Sequence, residues 1–100
     1  MDIKLVNRGD TGELLMSGDL DTRTSRDADA LFDQMADRFT NITLNMKELE
    51  YVSSAGLRAI RNLYIKLNQK DGKLAITNVN ENVMEVFEMT GLAGLLNIRQ

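Results

Sequence analysis

The apolar residues of this chain change period as the sequence advances, from two to about 3.6 and back again, and this restricts the fold more than any other feature. Period two puts successive side chains on opposite faces of a strand; period 3.6 lines them along one side of a helix. Ile3 and Leu5 alternate with Asp2 and Lys4, and Asn7-Arg8-Gly9-Asp10-Thr11-Gly12 then supplies turn chemistry. Leu14-Leu15-Met16 follows within residues 13–17, so the first two segments read as a β-hairpin. Ala28, Leu31, Phe32, Met35 and Phe39 form a helical stripe. Thr24 with Asp27 three residues on predicts a capping box at its start. Asp27 and Asp29 near the start and Arg38 near the end suit the helix dipole.

Period two returns at Ile42, Leu44 and Met46, and a second helix is expected from about Ser54, with Leu57, Ile60, Tyr64 and Leu67 inward. Asp71-Gly72 ends it, Leu74 and Ile76 mark another strand, and residues 80–90 form a helix with Val83, Val86 and Phe87 inward. Gly91 is its expected stop, and Leu92 to Ile98 leave room for a short final strand. The order β-β-α-β-α-β-α predicts an α/β fold: a small mixed sheet, N-terminal hairpin first and then parallel strands joined by right-handed crossovers. Parallel strands covered on both faces read as continuous apolar runs. These alternate, so the helices are expected mainly on one face.

No linker or repeat divides residues 1–100, which are read as a single domain, and 43% hydrophobic content is enough for one core. With five aromatics and six methionines, that core is built mainly from Leu, Ile, Val, Met and Ala. The net charge of -3 and the lack of a basic block argue against nucleic acid or an anionic membrane as partners. Cysteine and histidine are both absent, which removes disulfides, thiolate nucleophiles, Cys/His metal sites and the commonest general base. No cofactor or metal is expected. The N-terminus has no apolar leader, and no run approaches the ~18 apolar residues of a membrane span. The expectation is a soluble, cytoplasmic domain. Arg8-Gly9-Asp10 therefore reads as a turn rather than an adhesion motif, and Asn41-Ile42-Thr43 as strand rather than a glycosylation site.

Two segments follow strands and precede helices: Ser17-Gly18-Asp19-Leu20-Asp21-Thr22-Arg23-Thr24 and Tyr51-Val52-Ser53-Ser54-Ala55-Gly56-Leu57-Arg58. Both fall at the C-terminal edge of parallel strands, where open α/β sheets place their sites, so Asp21 and Ser54 are expected to be close in space. Serine before a helix is a good N-cap, and the same geometry welcomes a phosphate. Catalysis by Ser54 lacks a base: there is no His and no Ser-x-x-Lys arrangement, and an ordinary Asp is far too acidic to deprotonate serine. Asp29, Asp33 and Asp37 recur every four residues, as either a solvated helix face or an attraction for a basic partner.

Gly18-Asp19-Leu20-Asp21 with Thr24, then Val52-Ser53-Ser54-Ala55-Gly56-Leu57-Arg58, then Val86-Phe87-Glu88-Met89-Thr90-Gly91-Leu92, together resemble the signatures of the STAS domain family in order and spacing. That resemblance implies a bacterial anti-sigma factor antagonist. Such a protein binds a serine-kinase anti-sigma factor to free a sigma factor, is switched off by phosphorylation in the loop before the second helix, and is restored by a serine phosphatase. Alignment on Gly56-Leu57 puts the acceptor at Ser54. Many members carry Asp just before the acceptor, where this chain has Ser53, so Ser53 is a rival. A partner surface of Asp19, Asp21, Thr22, Arg23, Ser53, Ala55, Gly56 and Arg58 is expected, with Asp21, which matches an acidic position of the family, in partner binding or in orienting the serine; the module is expected to be a monomer, and the missing base and metal ligands argue against enzyme activity. The alternative is a regulatory subunit of a membrane transporter or larger signalling complex, without phosphoswitching.

Overall fold

The computed structural model of the chain describes residues 1–99. Its strands are β1 (Asp2–Arg8), β2 (Thr11–Leu20), β3 (Asn41–Val52), β4 (Lys73–Thr77) and β5 (Asn97–Ile98). Its helices are α1 (Ser25–Arg38), α2 (Ser54–Asn68), α3 (Glu81–Met89) and α4 (Leu92–Leu95). The strands lie in the order β1-β2-β3-β4-β5; the first pair is antiparallel and the remaining pairs are parallel. This is the mixed sheet that the alternating periods predict. The short α4 was not anticipated, because four residues are too few to display a period.

One face of the sheet carries Leu14, Met16, Ile42, Leu44, Met46, Leu74 and Ile76, all buried. The other carries Glu13, Thr43, Asn45 and Thr77, only half covered. α1 packs beside α2 over the buried face with Ala28, Phe32, Met35 and Ala36, and α2 contributes Leu57, Ile60, Leu63 and Leu67. Leu31, Tyr64 and Val86, expected inward, sit at the margin and are only partly covered. Met16, Met35 and Met46 are core, whereas Met89 is 78% exposed.

β2 and β3 run further than their simple alternation suggested. Their pairing shifts between Leu15 and Ser17 and again between Gly18 and Asp19. Each shift admits an extra residue on β3, so burial passes from Met46 to Leu49 to Val52 instead of to every second residue. A β-bulge re-aims the side chains beyond it. Here two of them keep Leu49 and Val52 facing the core and carry β3 as far as the start of α2.

Local chemistry sets the helix ends. Asn80 caps α3 by accepting from the Val83 N–H at 2.8 Å, and its own amide donates to the Leu49 carbonyl at 3.0 Å, tying the helix to β3. Gly91 takes the left-handed conformation (φ +81°) and separates α3 from α4, in keeping with its expected role as a stop. The capping box expected from Thr24 and Asp27 does not form: Thr24 stands at the N-cap of α1, but its side chain makes no cap hydrogen bond to the helix. It is displaced three residues toward the N-terminus. The Asp21 carboxylate accepts from the Thr24 N–H and the Thr24 hydroxyl accepts from the Asp21 N–H, both at 2.9 Å. Those two bonds are the reciprocal pair of a capping box with Asp21 in the lead, made before the first regular turn.

Candidate functional site

The C-terminal ends of β2 and β3 are in register, Leu20 opposite Val52, and the Ser53 N–H donates to the Leu20 carbonyl at 2.8 Å. The two loops singled out in the sequence therefore leave the sheet side by side. Asp21 begins one and Ser53 the other. No hydrogen bond joins Asp21 to either serine among the described residues.

The adjacent hydroxyls are in different situations. Ser53 is the N-cap of α2: its backbone is extended, its side chain is buried, and its Oγ accepts from the Gly56 N–H at 3.1 Å. Ser54 is the first helical residue, exposed, with its side chain free of any intramolecular hydrogen bond among the described residues. The cap falls on Ser53 because only the last non-helical residue can turn its oxygen back onto the third amide of the helix. One step later, the side chain projects outward.

Gly56 explains its place in the motif. A Cβ there would stand 2.7 Å from Leu20 Cγ and 2.8 Å from the Leu20 carbonyl oxygen, so α2 can approach the end of β2 only if this residue has no side chain. The closeness of the two loops depends on that contact.

Asp21 serves its own loop. Its Oδ1 accepts from the N–H groups of Arg23 and Thr24, both at 2.9 Å, and from the Thr24 hydroxyl at 3.1 Å. The Thr24 amide, above all, holds the carboxyl below its ordinary range, with further help from the Thr24 hydroxyl, the Arg23 amide and the Arg23 charge. Thr24 Oγ1 also reaches the Asp19 carbonyl at 2.9 Å, and the Thr22 carbonyl accepts from Ser25 at 3.0 Å. The result is a braced turn with Asp19, Thr22 and Arg23 exposed on its outer side.

Two grooves flank the start of α2. The first, between α1 and α2, is lined by Thr22, Ser25, Arg26, Asp29, Ala55 and Arg58 among others. The second lies between α2 and the α3–α4 junction and is lined by Ser54, Leu57, Arg58, Arg61, Thr90 and Leu92. Arg58 stands on the ridge between them. Of the partner residues expected from the sequence, Thr22, Ala55 and Arg58 line these grooves, Asp19, Asp21 and Arg23 belong to the end of β2 and the turn after it, and Ser53 and Gly56 are buried. Arg61, Thr90 and Leu92 line the second groove although nothing in their local sequence assigns them a role. Helical spacing from Ser54 makes Arg61 recoverable, because positions 54, 58 and 61 share one helix face. The meeting of Thr90 with Ser54 depends on long-range packing. Asp33 and Asp37 lie 3.6 and 3.4 Å from Lys66 of α2, so much of the acidic stripe on α1 already has a partner within the chain. Among the described residues no group of three or more potential ligands could hold a metal ion, and no helix is long and apolar enough to cross a membrane.

The STAS domain family model matches residues 2–100. An anti-sigma F factor antagonist of Paenibacillus polymyxa is 34% identical over 85 residues, covering 83% of this chain and 73% of that one. An anti-sigma factor antagonist from Mycobacterium paratuberculosis superposes with a TM-score of 0.87 at 17% identity, over 98% of this chain and 84% of that one. The Bacillus cell fate determinant SpoIIAA, solved in a phosphorylated form, superposes with a TM-score of 0.78 at 19% identity, over 99% and 92% of the two chains.

Proposed function

This chain belongs to the STAS domain family, and from that membership we propose that it is an anti-sigma factor antagonist, a binding module that captures a serine-kinase anti-sigma factor and so frees a sigma factor. Phosphorylation of Ser54 ends the capture, and a serine phosphatase restores it. The protein acts as a monomer in the cytoplasm. The relative from Paenibacillus polymyxa bears the corresponding name.

The observation that carries the switch is the contrast between the two serines. A kinase needs an accessible hydroxyl with a free lone pair; Ser54 offers one at the surface, while Ser53 is buried and occupied by the Gly56 N–H. Ser54 is therefore the acceptor and Ser53 its structural support. Thr22, Ala55 and Arg58, which line the grooves at this end of α2, form the partner surface together with Asp19 and Arg23, and Asp21 shapes that surface by bracing the turn.

Phosphate adds about -1.5 to -2 charge. At the first turn of α2 that charge is favourable by roughly 0.3–1 kcal/mol, so the domain keeps its fold. Against a partner surface matched to a neutral hydroxyl, it costs up to several kcal/mol. Each ~1.4 kcal/mol is tenfold in affinity. Loss of the partner without unfolding follows directly.

Immobilised wild-type protein, Ser54→Ala and Ser54→Asp exposed to a lysate of the parent cell test this reading, with captured proteins identified by mass spectrometry. The first two are expected to retain a kinase-type anti-sigma factor, and Ser54→Asp to retain it at least about tenfold more weakly. Capture of transporter subunits instead, or equal capture by all three, would overturn it.

A further inference from the structure

Two arginines sit beside Ser54 without an opposite charge of their own. Arg58 and Arg61 are exposed, and neither takes part in an ion pair or a side-chain hydrogen bond among the described residues. Both line the groove that Ser54 opens into. The charged residues lining the two grooves at this end of α2 are Arg26, Arg58, Arg61 and the single carboxylate Asp29. The loop after β2 adds Arg23 and Asp21, whose Oδ1 is engaged by its own turn. The α3–α4 wall contributes Thr90 and Leu92, which carry no charge.

Helical geometry aims the pair at the serine. Residues four and seven positions on fall within about 40° of the same face. Side chains on a helix lean toward its N-terminus, so Arg58, about 6 Å further along the axis, and Arg61, about 10 Å, both reach back toward position 54. A guanidinium presents a planar fork of donors that matches phosphate oxygens.

We propose that Arg58 and Arg61 form an intramolecular clamp that closes on the phosphoryl group carried by Ser54. It rests on the reading of Ser54 as the acceptor and adds a second part to the off state. Besides the charge that repels the partner, phosphorylation draws Arg58 off the ridge between the two grooves. Arg58 is thereby withdrawn from the partner surface at the same moment. Phosphorylation thus changes two features of the interface through one covalent bond.

The test places phosphoserine at position 54 of the full chain by genetic encoding, so that no kinase is needed, and follows the second ionisation of the phosphate by phosphorus NMR at low salt. A clamp stabilises the dianion and lowers its titration midpoint. Relative to wild type, Arg58→Gln/Arg61→Gln is expected to raise the midpoint by about half a pH unit or more. Arg8→Gln, at the last residue of β1 and paired with the far end of β2, is expected to leave it in place. The two single variants report each arginine separately, and amide spectra check that every variant is folded. Arg58→Lys/Arg61→Lys, which keeps the charge and loses the fork, is expected to fall between the extremes. An unchanged midpoint in both the Gln pair and the single variants would overturn the clamp. Unchanged midpoints with weaker partner capture would assign the arginines to the partner instead. A lowered wild-type midpoint in a protein whose Ser54→Asp form still captures the kinase would leave the clamp standing and remove the proposed switch.

Discussion

Ser53 and Ser54 are the same residue type one peptide apart, and the boundary of α2 gives them different work. Replacing Ser53 with Ala removes the cap on the Gly56 N–H and is expected to cost about 1 kcal/mol, lowering Tm by roughly 4–8 °C in a domain of this size. Ser54→Ala touches no intramolecular bond and is expected to stay within about 0.5 kcal/mol of wild type. Urea unfolding of the two variants side by side checks both. Asp21 allows a second prediction. Its folded pKa is depressed below the ordinary 3.8, so the unfolded chain binds the proton more readily. The stability this carboxylate contributes is present above its unfolded value and lost as pH falls through the folded one. Asp21→Asn cannot titrate, so the difference in stability between wild type and variant is expected to shrink as pH drops from about 5 toward 2. A constant difference across that range would refute it. The importance of Asp21 was legible in the sequence, but its bonding was not. From spacing, Thr24-x-x-Asp27 and Asp21-x-x-Thr24 are equally good capping boxes, and only the path of the backbone after Leu20 selects between them.

Among the elements, the contact of α2 with the end of β2 sets the geometry of the site. Gly56→Ala would press a methyl group into Leu20, and its flexible side chain is not the only obstacle, since the Leu20 carbonyl is equally close. Overpacking of this kind is expected to cost about 1–3 kcal/mol, read as a lower urea midpoint, and to weaken partner capture even in the folded fraction by pushing the two loops apart. The elements themselves were mostly evident from the period of their apolar residues, and α1, α2 and α3 appeared close to where expected. The extension of β3 to Val52 was hidden because a bulge breaks period two without leaving a mark in composition. Leu49 and Val52, three apart, look like neither strand nor helix until their pairing with Gly18 and Leu20 is known.

At the scale of the whole molecule, the helices cover one face of the sheet, and the strand ends bring residues distant in sequence to one edge. A switch built there can act on a partner without disturbing the core, because Ser54 lies outside it while Leu20, Val52 and Leu57 beneath are buried. Ser54→Asp is accordingly expected to be no less stable than wild type in urea while losing its partner; a concurrent fall in stability would mean that binding is lost through unfolding. The sequence alone determined the alternation of elements, the hairpin and the mixed sheet, because periodicity and turn chemistry are local properties written in adjacent residues, and three short motifs in the right order carried the resemblance to the family. Only the tertiary structure decided which of two serines is buried, which acid caps which turn, and that Thr90 and Arg61 share a groove with Ser54. Those depend on strand register and on how closely a helix can approach a strand, and neither is encoded within the span of a few neighbouring residues.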